Sequence, residues 1–228
     1  MAMPFYVAPE QLMKDRSDYA RKGIARGKPV ISFEYADGIL FIADNPSTHL
    51  HKISEIYDRI AFAGVGKYSE FENLRIAGVR LADIRGYSYG REDVTAKSLA
   101  NAYSQALSNV FTQEMKPYEV EILVAQVGDT NEENELFHIL YDGSVSDQQR
   151  FVTMGGEAER LSEKLEESYR DGMDLGEALR AAVGALSELN EAEVEPSRIE
   201  AATLDRTRKQ RRKFLRLSDD QVAGHLRG

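Results

Sequence analysis

The sequence of 228 residues predicts an α+β protein: a four-layer αββα sandwich preceded by a helical extension at the N-terminus. The predicted elements run in the order strands, two helices, strands, two helices, strands, and no segment is repeated. Paired helices between groups of strands suit two stacked sheets with a helix pair on each outer face, whereas a doubly wound fold alternates single strands with single helices. Periodicity alone leaves other α+β arrangements open.

Residues 9–27 predict a charged helix ahead of the first strand. Pro9 suits the first helical position, and Gly27 and Pro29 end the segment. The apolar stripe of this helix is incomplete. It consists of Leu12, Met13, Ala20 and Ile24. We therefore expect the helix to rest on the surface of another element.

The next elements are three strands and two helices. Residues 30–35 and 39–43 predict strands joined at Asp37-Gly38, a strong hairpin signal, and residues 56–63 predict a third strand. A capping-box pattern opens the first helix and a threonine opens the second. The residues assigned to the two helices are the cap pair Ser69 and Glu72, the apolar face Phe71, Leu74, Gly78 and Leu81, Gly86 past the end, then Thr95 and the face Leu99, Tyr103, Ala106, Leu107 and Val110.

The second half of the chain returns to strands and then to a second helix pair. Residues 118–127 alternate acidic and apolar side chains, 135–141 pair with them, and 151–154 form a short buried strand after the turn at Asp142-Gly143. One helix follows Gly155-Gly156, and a second is capped by an acidic pair. The residues assigned to these helices are Leu161, Leu165 and Tyr169, then Asp174 and Glu177 at the cap with Leu179, Ala182, Val183 and Leu186.

Two last strands, 199–204 and 214–217, flank a basic loop at residues 206–213, and a short helix is expected at the end. The chain therefore divides into an N-terminal extension at 1–27, a main domain at 28–217 and a C-terminal tail at 218–228.

The composition restricts the classes of function. The formal net charge of −9 argues against a general affinity for nucleic-acid backbones. The absence of cysteine excludes disulfides and permits a reducing cytosol. The longest apolar runs are far shorter than the about 20 residues that a membrane-spanning helix needs, and the first eight residues lack the positive start of a signal peptide. We expect a cytoplasmic protein without membrane contact.

The motifs that could carry chemistry are weak. His49 and His51 lie close together without a third ligand, and Ser144 lacks the Gly-x-Ser-x-Gly context of an activated nucleophile. Gly64-Val65-Gly66 is an incomplete glycine-rich motif. Gly155-Gly156 could hold an anion ahead of a helix, although close backbone packing is the commoner explanation. The sequence therefore predicts no metal and no cofactor.

The basic loop at 206–213 is the one cluster that suggests nucleic acid. It lies in an otherwise acidic protein, and no aromatic residues are interleaved for base stacking. A solvated turn or a contact with another subunit is the favoured interpretation, since nucleic-acid binding needs a broader basic face.

The segment 50–66, LHKISEIYDRIAFAGVG, resembles the corresponding segment of 20S proteasome α subunits of the actinobacterial type. Segments 20–26, 85–89, 116–121 and 154–156 resemble the same family, so that the likeness covers nearly the whole chain. Each segment alone would be a weak signal, but together they are specific. The Tyr-Asp-Arg triplet of archaeal and eukaryotic α subunits is missing from the first 27 residues. This absence favours the actinobacterial arrangement.

The resemblance implies the fold of N-terminal-nucleophile hydrolases, whose enzymes expose a Thr, Ser or Cys at the start of the first strand. Here Lys28, Pro29 and Val30 occupy that place, and the first threonine is Thr48. Proline cannot supply a free primary amine as the base. The resemblance therefore implies a subunit that is not an enzyme, in a threonine-type endopeptidase complex whose catalytic residues lie in the β subunit. The alternative is an autonomous N-terminal-nucleophile-type hydrolase.

In the family, a lysine matching Lys52 lies in a pocket between neighbouring α subunits and pairs with the C-terminal carboxylate of an activator tail, such as that of a ring-shaped ATPase. Carboxylate capture of this kind combines a charge with backbone donors. Gly66 matches a position that lines the same pocket, and archaeal relatives carry an apolar residue where this chain has Lys67. Without the resemblance, a lysine beside a strand is usually only solvated.

The resemblance also implies a homo-heptameric outer ring that stacks on β subunits and admits protein substrates in ubiquitin-independent, Pup-linked degradation. In the actinobacterial arrangement the first residues of the seven subunits plug the axial pore. Seven apolar tails that converge on an axis would bury one another, whereas the alternative is a disordered terminus. The expected gate residues are Met1, Ala2, Met3, Pro4, Phe5, Tyr6, Val7 and Ala8.

Overall fold

The computed structural model describes residues 8–227. Their helices are α1 (Pro9–Ile24), α2 (Tyr68–Ser88), α3 (Ala96–Gln113), α4 (Ala158–Ser168), α5 (Leu175–Leu189) and α6 (Asp219–Arg227). Their strands are β1 (Val30–Tyr35), β2 (Gly38–Asp44), β3 (Ile53–Tyr57), β4 (Ile60–Gly66), β5 (Val120–Gln126), β6 (Glu135–Ile139), β7 (Val145–Gln148), β8 (Phe151–Met154), β9 (Ile199–Asp205) and β10 (Phe214–Arg216).

The strands form two antiparallel five-stranded sheets. The first has the order β10-β9-β2-β1-β8 and the second the order β3-β4-β5-β6-β7. β1 and β2 form a hairpin whose last pair is Tyr35 with Gly38, so the turn predicted at Asp37-Gly38 is confirmed. β3 and β10 are edge strands of their sheets, which leaves one side of each without a strand partner.

The two sheets pack face to face and a helix pair covers each outer face, which confirms the αββα sandwich. Successive side chains of β2 show the layering, because neighbours on a strand point to opposite faces. Phe41 lies in the core between the sheets with Leu123 of β5. Leu40 and Ile42 point outward into the core under α4 and α5. The core under α2 and α3 lies on the second sheet.

The sandwich has two ends that matter for function. At the first, which we call the α1 end, lie the start of β1, the last residues of β2 and β4, and the C-terminus of α1. Ala20 and Ile24 of α1 are buried in the core between the sheets, so α1 rests across its mouth. At the opposite end, which we call the loop end, the Asp37-Gly38 and Asp58-Arg59 turns meet the basic loop.

The strand expected at 56–63 is wrong, because the chain turns at Asp58-Arg59 and forms two strands, β3 and β4. Apolar residues continue on both sides of this turn and hide it in the sequence. The turn is stabilised by its surroundings: Arg91 donates to the Asp58 carboxylate at 2.8 Å, and the Lys213 amide donates to the Asp58 carbonyl at 2.7 Å.

The expected boundaries of α2 are also wrong at both ends. α2 begins at Tyr68 after Lys67, which makes no side-chain cap, and Glu72 pairs with Arg75 at 2.6 Å instead of capping the helix. Gly86 lies inside α2, which continues to Ser88. A Cβ at Gly86 would overlap the Tyr57 hydroxyl. The glycine is therefore explained by close packing on β3 and not by the end of the helix.

Other expectations differ in detail. The capping box at α5 is confirmed, with the Glu177 amide donating to Asp174 at 2.8 Å. β7 was not expected, since its side chains are mostly exposed and carry no apolar pattern. In α3 the buried face passes through Phe111, while Ala106 is exposed. The short C-terminal helix exists as α6, and its Val222 is buried in the core under α5.

Candidate functional site

Lys52 lies at the α1 end, directly before edge strand β3. The Gly64 amide donates to the Lys52 carbonyl at 2.9 Å, so the residue is held by the β3–β4 hairpin. Its ammonium donates to the Lys28 carbonyl oxygen at 2.7 Å. Lys28 belongs to the connection between α1 and β1. The lysine side chain therefore reaches from the second sheet to the segment that leads into the first sheet.

The Lys52 ammonium is partly buried, and this burial lowers its pKa to about 8. The negative charges of Asp44 and Glu200 oppose the shift, and the positive charge of Lys28 adds to it. Within the described residues, the Lys28 carbonyl is the hydrogen-bond acceptor of this ammonium. An ammonium has three donors, so two of them are available for an incoming carboxylate.

Gly66 lies at the same end, as the last residue of β4. Its φ of +99° lies in the left-handed region that favours glycine, and a Cβ here would overlap the Glu119 carbonyl oxygen. A Cβ on Gly27 would lie 3.2 Å from the Gly66 nitrogen. Gly66 and Lys52 therefore both border the α1–β1 connection. The structure brings the two predicted site residues to one surface.

Lys67 follows Gly66 and is about half exposed. Its amide donates to the Glu119 carbonyl at 2.9 Å, and its ammonium lies 3.6 Å from the Glu70 carboxylate. Glu70 is buried and also accepts from Lys116 at 2.7 Å. Lys67 thus adds a second cation at the α1 end, beside the glycine.

Two buried carboxylates lie beneath this surface, and sequence reasoning missed both. Asp44 is fully buried and pairs with Lys28 at 3.2 Å and with Arg198 at 3.0 Å. Glu200 accepts from the Lys52 amide at 2.9 Å. Each is an acidic residue in a largely apolar, buried strand, and this irregularity is the signal by which they could have been found.

The start of β1 is continuous with α1. Pro29 is buried immediately before Val30, and the preceding carbonyl of Lys28 accepts from Lys52. The residue at the start of β1 therefore carries a peptide bond, and this place holds neither a hydroxyl nor a thiol nor a free α-amine. The Lys52 ammonium at this end is a group that can bind a carboxylate.

The weaker candidates lie elsewhere. His51 Nδ1 is 3.4 Å from a Glu200 oxygen, and His49 is exposed. In residues 8–227 no group of three or more His, Cys, Asp or Glu side chains is arranged to hold a metal ion. The Ser144 amide donates to Asp142 at 2.9 Å, which makes it part of a turn. A Cβ on Gly156 would lie 2.5 Å from the Ala25 carbonyl, so the glycine permits close packing on the end of α1.

The basic loop lies at the loop end and binds its own protein. Arg212 donates to Glu55 at 2.7 Å, and the Lys213 ammonium donates to the Arg206 carbonyl at 3.0 Å. Arg206 bonds to Asn131, and Arg208 to the carbonyl of Phe214. These contacts fold the loop back on the sandwich, while Lys209 and Arg211 stay exposed.

Most of the expected gate lies outside the described residues. Met1 to Val7 are not described, and Ala8 is exposed directly before Pro9 at the first turn of α1. None of the helices in residues 8–227 combines the length and the apolar character needed to cross a bilayer.

Comparison with known proteins gives one consistent result. The family model described as Proteasome subunit matches residues 24–204. The chain is 58% identical to the proteasome subunit alpha of Kineococcus radiotolerans, over 100% of this chain and 99% of that protein. It is 58% identical to that of Sanguibacter keddieii, over 98% of this chain and 90% of that protein. For Streptomyces coelicolor the identity is 55%, over 98% and 89%.

Proposed function

This chain belongs to the proteasome subunit family, together with α subunits of actinobacteria, and we propose that it is a non-catalytic subunit of the outer ring of a proteasome core particle. Seven copies would form the ring, which stacks on a ring of β subunits. The ring would admit protein substrates to a chamber in which the β subunits cut them. The names of the relatives and the αββα fold support this assignment.

Activator docking at Lys52 is the second part of the proposal. The observation that carries it is the Lys52 ammonium, which is held at the surface of the α1 end by the Lys28 carbonyl and has donors to spare. Gly66 borders the same connection, where its backbone packs directly against Glu119. The tail of a ring-shaped ATPase, or of another activator, would place its C-terminal carboxylate against this ammonium.

The alternative, an autonomous hydrolase, lacks support from the geometry. The start of β1 is Pro29-Val30, reached by a continuous chain from α1. A nucleophile of this class needs a terminal amine beside its hydroxyl or thiol. Nucleic-acid binding by the basic loop is also disfavoured, because Arg206, Arg208 and Arg212 bond to acceptors of their own chain.

The third part of the proposal is a gate formed by residues 1–8 at the axial pore, in cytoplasmic, Pup-linked protein degradation. The apolar residues Phe5, Tyr6 and Val7 lie between Pro4 and Pro9, which prevent a continuous helix. Such a tail would bury its apolar side chains only by meeting its copies on the ring axis.

The docking test compares Lys52→Ala with Lys209→Ala in particles reconstituted with the β subunit. Lys209 is an exposed lysine of the basic loop, so it matches the loss of charge at the opposite end. We expect Lys52→Ala to reduce activator-stimulated degradation at least about tenfold, the effect of losing one charge-assisted hydrogen bond, and Lys209→Ala to have no effect. Normal stimulation of the Lys52→Ala particle would show that the docking assignment is wrong.

The gate test removes residues 2–8 and measures hydrolysis of a short peptide by the assembled particle without activator. We expect faster hydrolysis, because the pore would be open at rest. The particle with the deletion should still assemble, with a mass lower than that of wild type only by the missing residues. An unchanged rate with an intact particle would contradict the gate.

A further inference from the structure

Hydrogen-bond donors from several elements converge on the carboxylate of Glu200. It lies on β9 and its side chain is only 6% exposed. One oxygen accepts from the Lys52 amide at 2.9 Å and from Asn45 Nδ2 at 2.7 Å. The other accepts from the Ile53 amide at 3.1 Å and from Arg216 at 2.6 Å. This one side chain therefore joins β9, β10 and the end of β2 in the first sheet to the start of β3 in the second.

The bonds to β3 fix the backbone that carries Lys52. β3 is an edge strand, so amides on its outer side have no neighbouring strand to accept their hydrogen bonds. At the start of β3, Glu200 accepts from two successive amides, those of Lys52 and Ile53. Arg216 closes the connection by donating to the Ile53 carbonyl at 2.6 Å. Without Glu200 these buried donors would lose their acceptor.

The Lys52 ammonium also lies in the field of two buried carboxylates. Asp44 is paired with Lys28 and Arg198, and Glu200 with Arg216 and the nearby His51. Among these groups Glu200 is the one that bonds directly to the Lys52 backbone. Both acids therefore contribute negative charge near the Lys52 ammonium. Only Glu200 also holds the Lys52 backbone in place by a hydrogen bond.

We propose that Glu200 is a positioning residue for carboxylate binding at Lys52, acting through the backbone of residues 52 and 53 and not by touching the activator tail. The inference rests on the docking function proposed above. The negative charge of Glu200 also raises the pKa of Lys52 against the effect of burial, so it keeps the ammonium protonated. A residue that served only to stabilise the fold would change neither the affinity for a carboxylate nor its dependence on pH.

The experiment measures binding of a fluorescein-labelled peptide, copied from the C-terminus of the host's ring ATPase, to particles reconstituted with the β subunit. The same peptide with an amidated C-terminus is the probe without a carboxylate. The variants are Glu200→Gln, which keeps the shape, Glu200→Asp, which keeps the charge, and Lys52→Ala. Glu34→Gln is the matched control, because Glu34 also accepts a backbone amide, that of Arg150, at 3.0 Å.

We expect Glu200→Gln to weaken binding of the free-carboxylate peptide about tenfold at pH 7 and to move the loss of binding to lower pH. Glu200→Asp should weaken binding, because its shorter side chain withdraws from the amides. Its binding should still be lost at the same pH as in wild type. Glu34→Gln should bind as wild type. The amidated peptide should bind weakly to every variant.

A second readout needs no ligand. Acetic anhydride acylates only the neutral amine, so the extent of Lys52 acylation, followed by mass spectrometry against pH, reports the pKa of the lysine directly. We expect acylation to begin at lower pH in Glu200→Gln than in wild type. Glu200→Asp should follow the wild-type profile.

The outcomes distinguish the two proposals. If Lys52→Ala binds the free-carboxylate peptide as wild type does, the docking function itself is wrong. If Lys52→Ala loses binding while Glu200→Gln keeps the wild-type affinity and pH profile, docking stands and the role of Glu200 is overturned. Should Glu200→Gln fail to assemble, Glu200→Asp decides: wild-type affinity overturns the proposal, and weakened binding with an unchanged acylation profile supports it.

Discussion

The two ends of the sandwich both carry positive charge, but they use it in opposite ways. At the loop end six basic residues stand within eight positions, and most of them bind acceptors of their own chain. At the α1 end the Lys52 ammonium bonds to one backbone carbonyl, and within residues 8–227 its other donors have no acceptor. In the denser cluster four of the six basic side chains are therefore already bonded to the protein itself. The number of basic residues in a segment does not measure its capacity to bind a ligand.

The ends also differ in what fixes their backbone. The α1 end depends on glycines packed against main chain, with Gly66 beside Glu119 and Gly156 beside Ala25, and on one buried carboxylate. The loop end has backbone hydrogen bonds as well, and it adds exposed pairs between charged side chains, such as Arg91 with Asp58. Buried fits of the first kind tolerate little change, whereas exposed ion pairs contribute little. Substitutions at the two ends should therefore differ strongly in effect.

The largest effect is expected at Gly66. Gly66→Ala places a Cβ against the Glu119 carbonyl at a φ of +99°, and we expect it to lower the free energy of unfolding by about 2–4 kcal/mol. Gly184→Ala is the control, because nothing lies within 4 Å of its Cβ position in the exposed part of α5. That change should stabilise the chain by about 0.5–1 kcal/mol. Thermal or urea unfolding of both variants measures the difference, and equal stability would remove the argument for a tight backbone fit.

An intermediate effect is expected from pH at Lys52. Its pKa of about 8 lies below the ordinary lysine value because of burial, so the ammonium loses its proton as the pH rises through about 8. Tail binding should therefore be complete at pH 7 and fall about tenfold by pH 9, since deprotonation above the pKa removes the charge tenfold per pH unit. Lys52→Arg stays protonated and should abolish this fall. Binding by wild type that is constant from pH 7 to 9 would contradict the role of the ammonium.

A small effect is expected from the loop end. Arg212 pairs with Glu55 at an exposed position, with the arginine side chain 61% exposed. Because solvent screens such pairs, we expect Arg212→Ala to change the free energy of unfolding by less than about 1 kcal/mol and to leave activator-stimulated degradation unchanged. Chemical denaturation and the degradation assay check both. Loss of stimulation in Arg212→Ala would show that the activator docks at the loop end and not at the α1 end.

The smallest effect is expected for nucleic acid. The assembled particle should show no steep salt-dependent binding to a DNA duplex, since the basic loop binds its own sandwich and the chain carries a net charge of −9. Fluorescence anisotropy at low and at physiological salt measures this. Tight binding that weakens steeply with salt would restore the basic loop as a ligand site.

The elements that the sequence predicted well are those set by local chemistry. The Asp37-Gly38 hairpin and the Asp174–Glu177 capping box depend on residues within four positions of one another, and both are confirmed. The Ser69–Glu72 pattern has the same form but is wrong, because Glu72 bonds to Arg75. The turn at Asp58-Arg59 escaped detection because its partners, Arg91 and Lys213, lie far along the chain.

The candidate site was predicted only in part. Lys52 and Gly66 came from a resemblance to a family, and the structure adds that they border one connection. Asp44 and Glu200 were missed, since in sequence they are acids within largely apolar strands. Their importance comes from the donors that surround them, which are contributed by residues up to 155 positions away.

Residue order alone was enough for most of the strands and helices and for the turn chemistry at Asp37-Gly38 and Asp174–Glu177, because each depends on neighbouring residues. The three-dimensional fold decided which of the many cations is available, since availability depends on the acceptors that folding brings to each side chain. It also decided the lowered pKa of Lys52, because desolvation and the charges of Asp44 and Glu200 act through space and leave no trace in residue order.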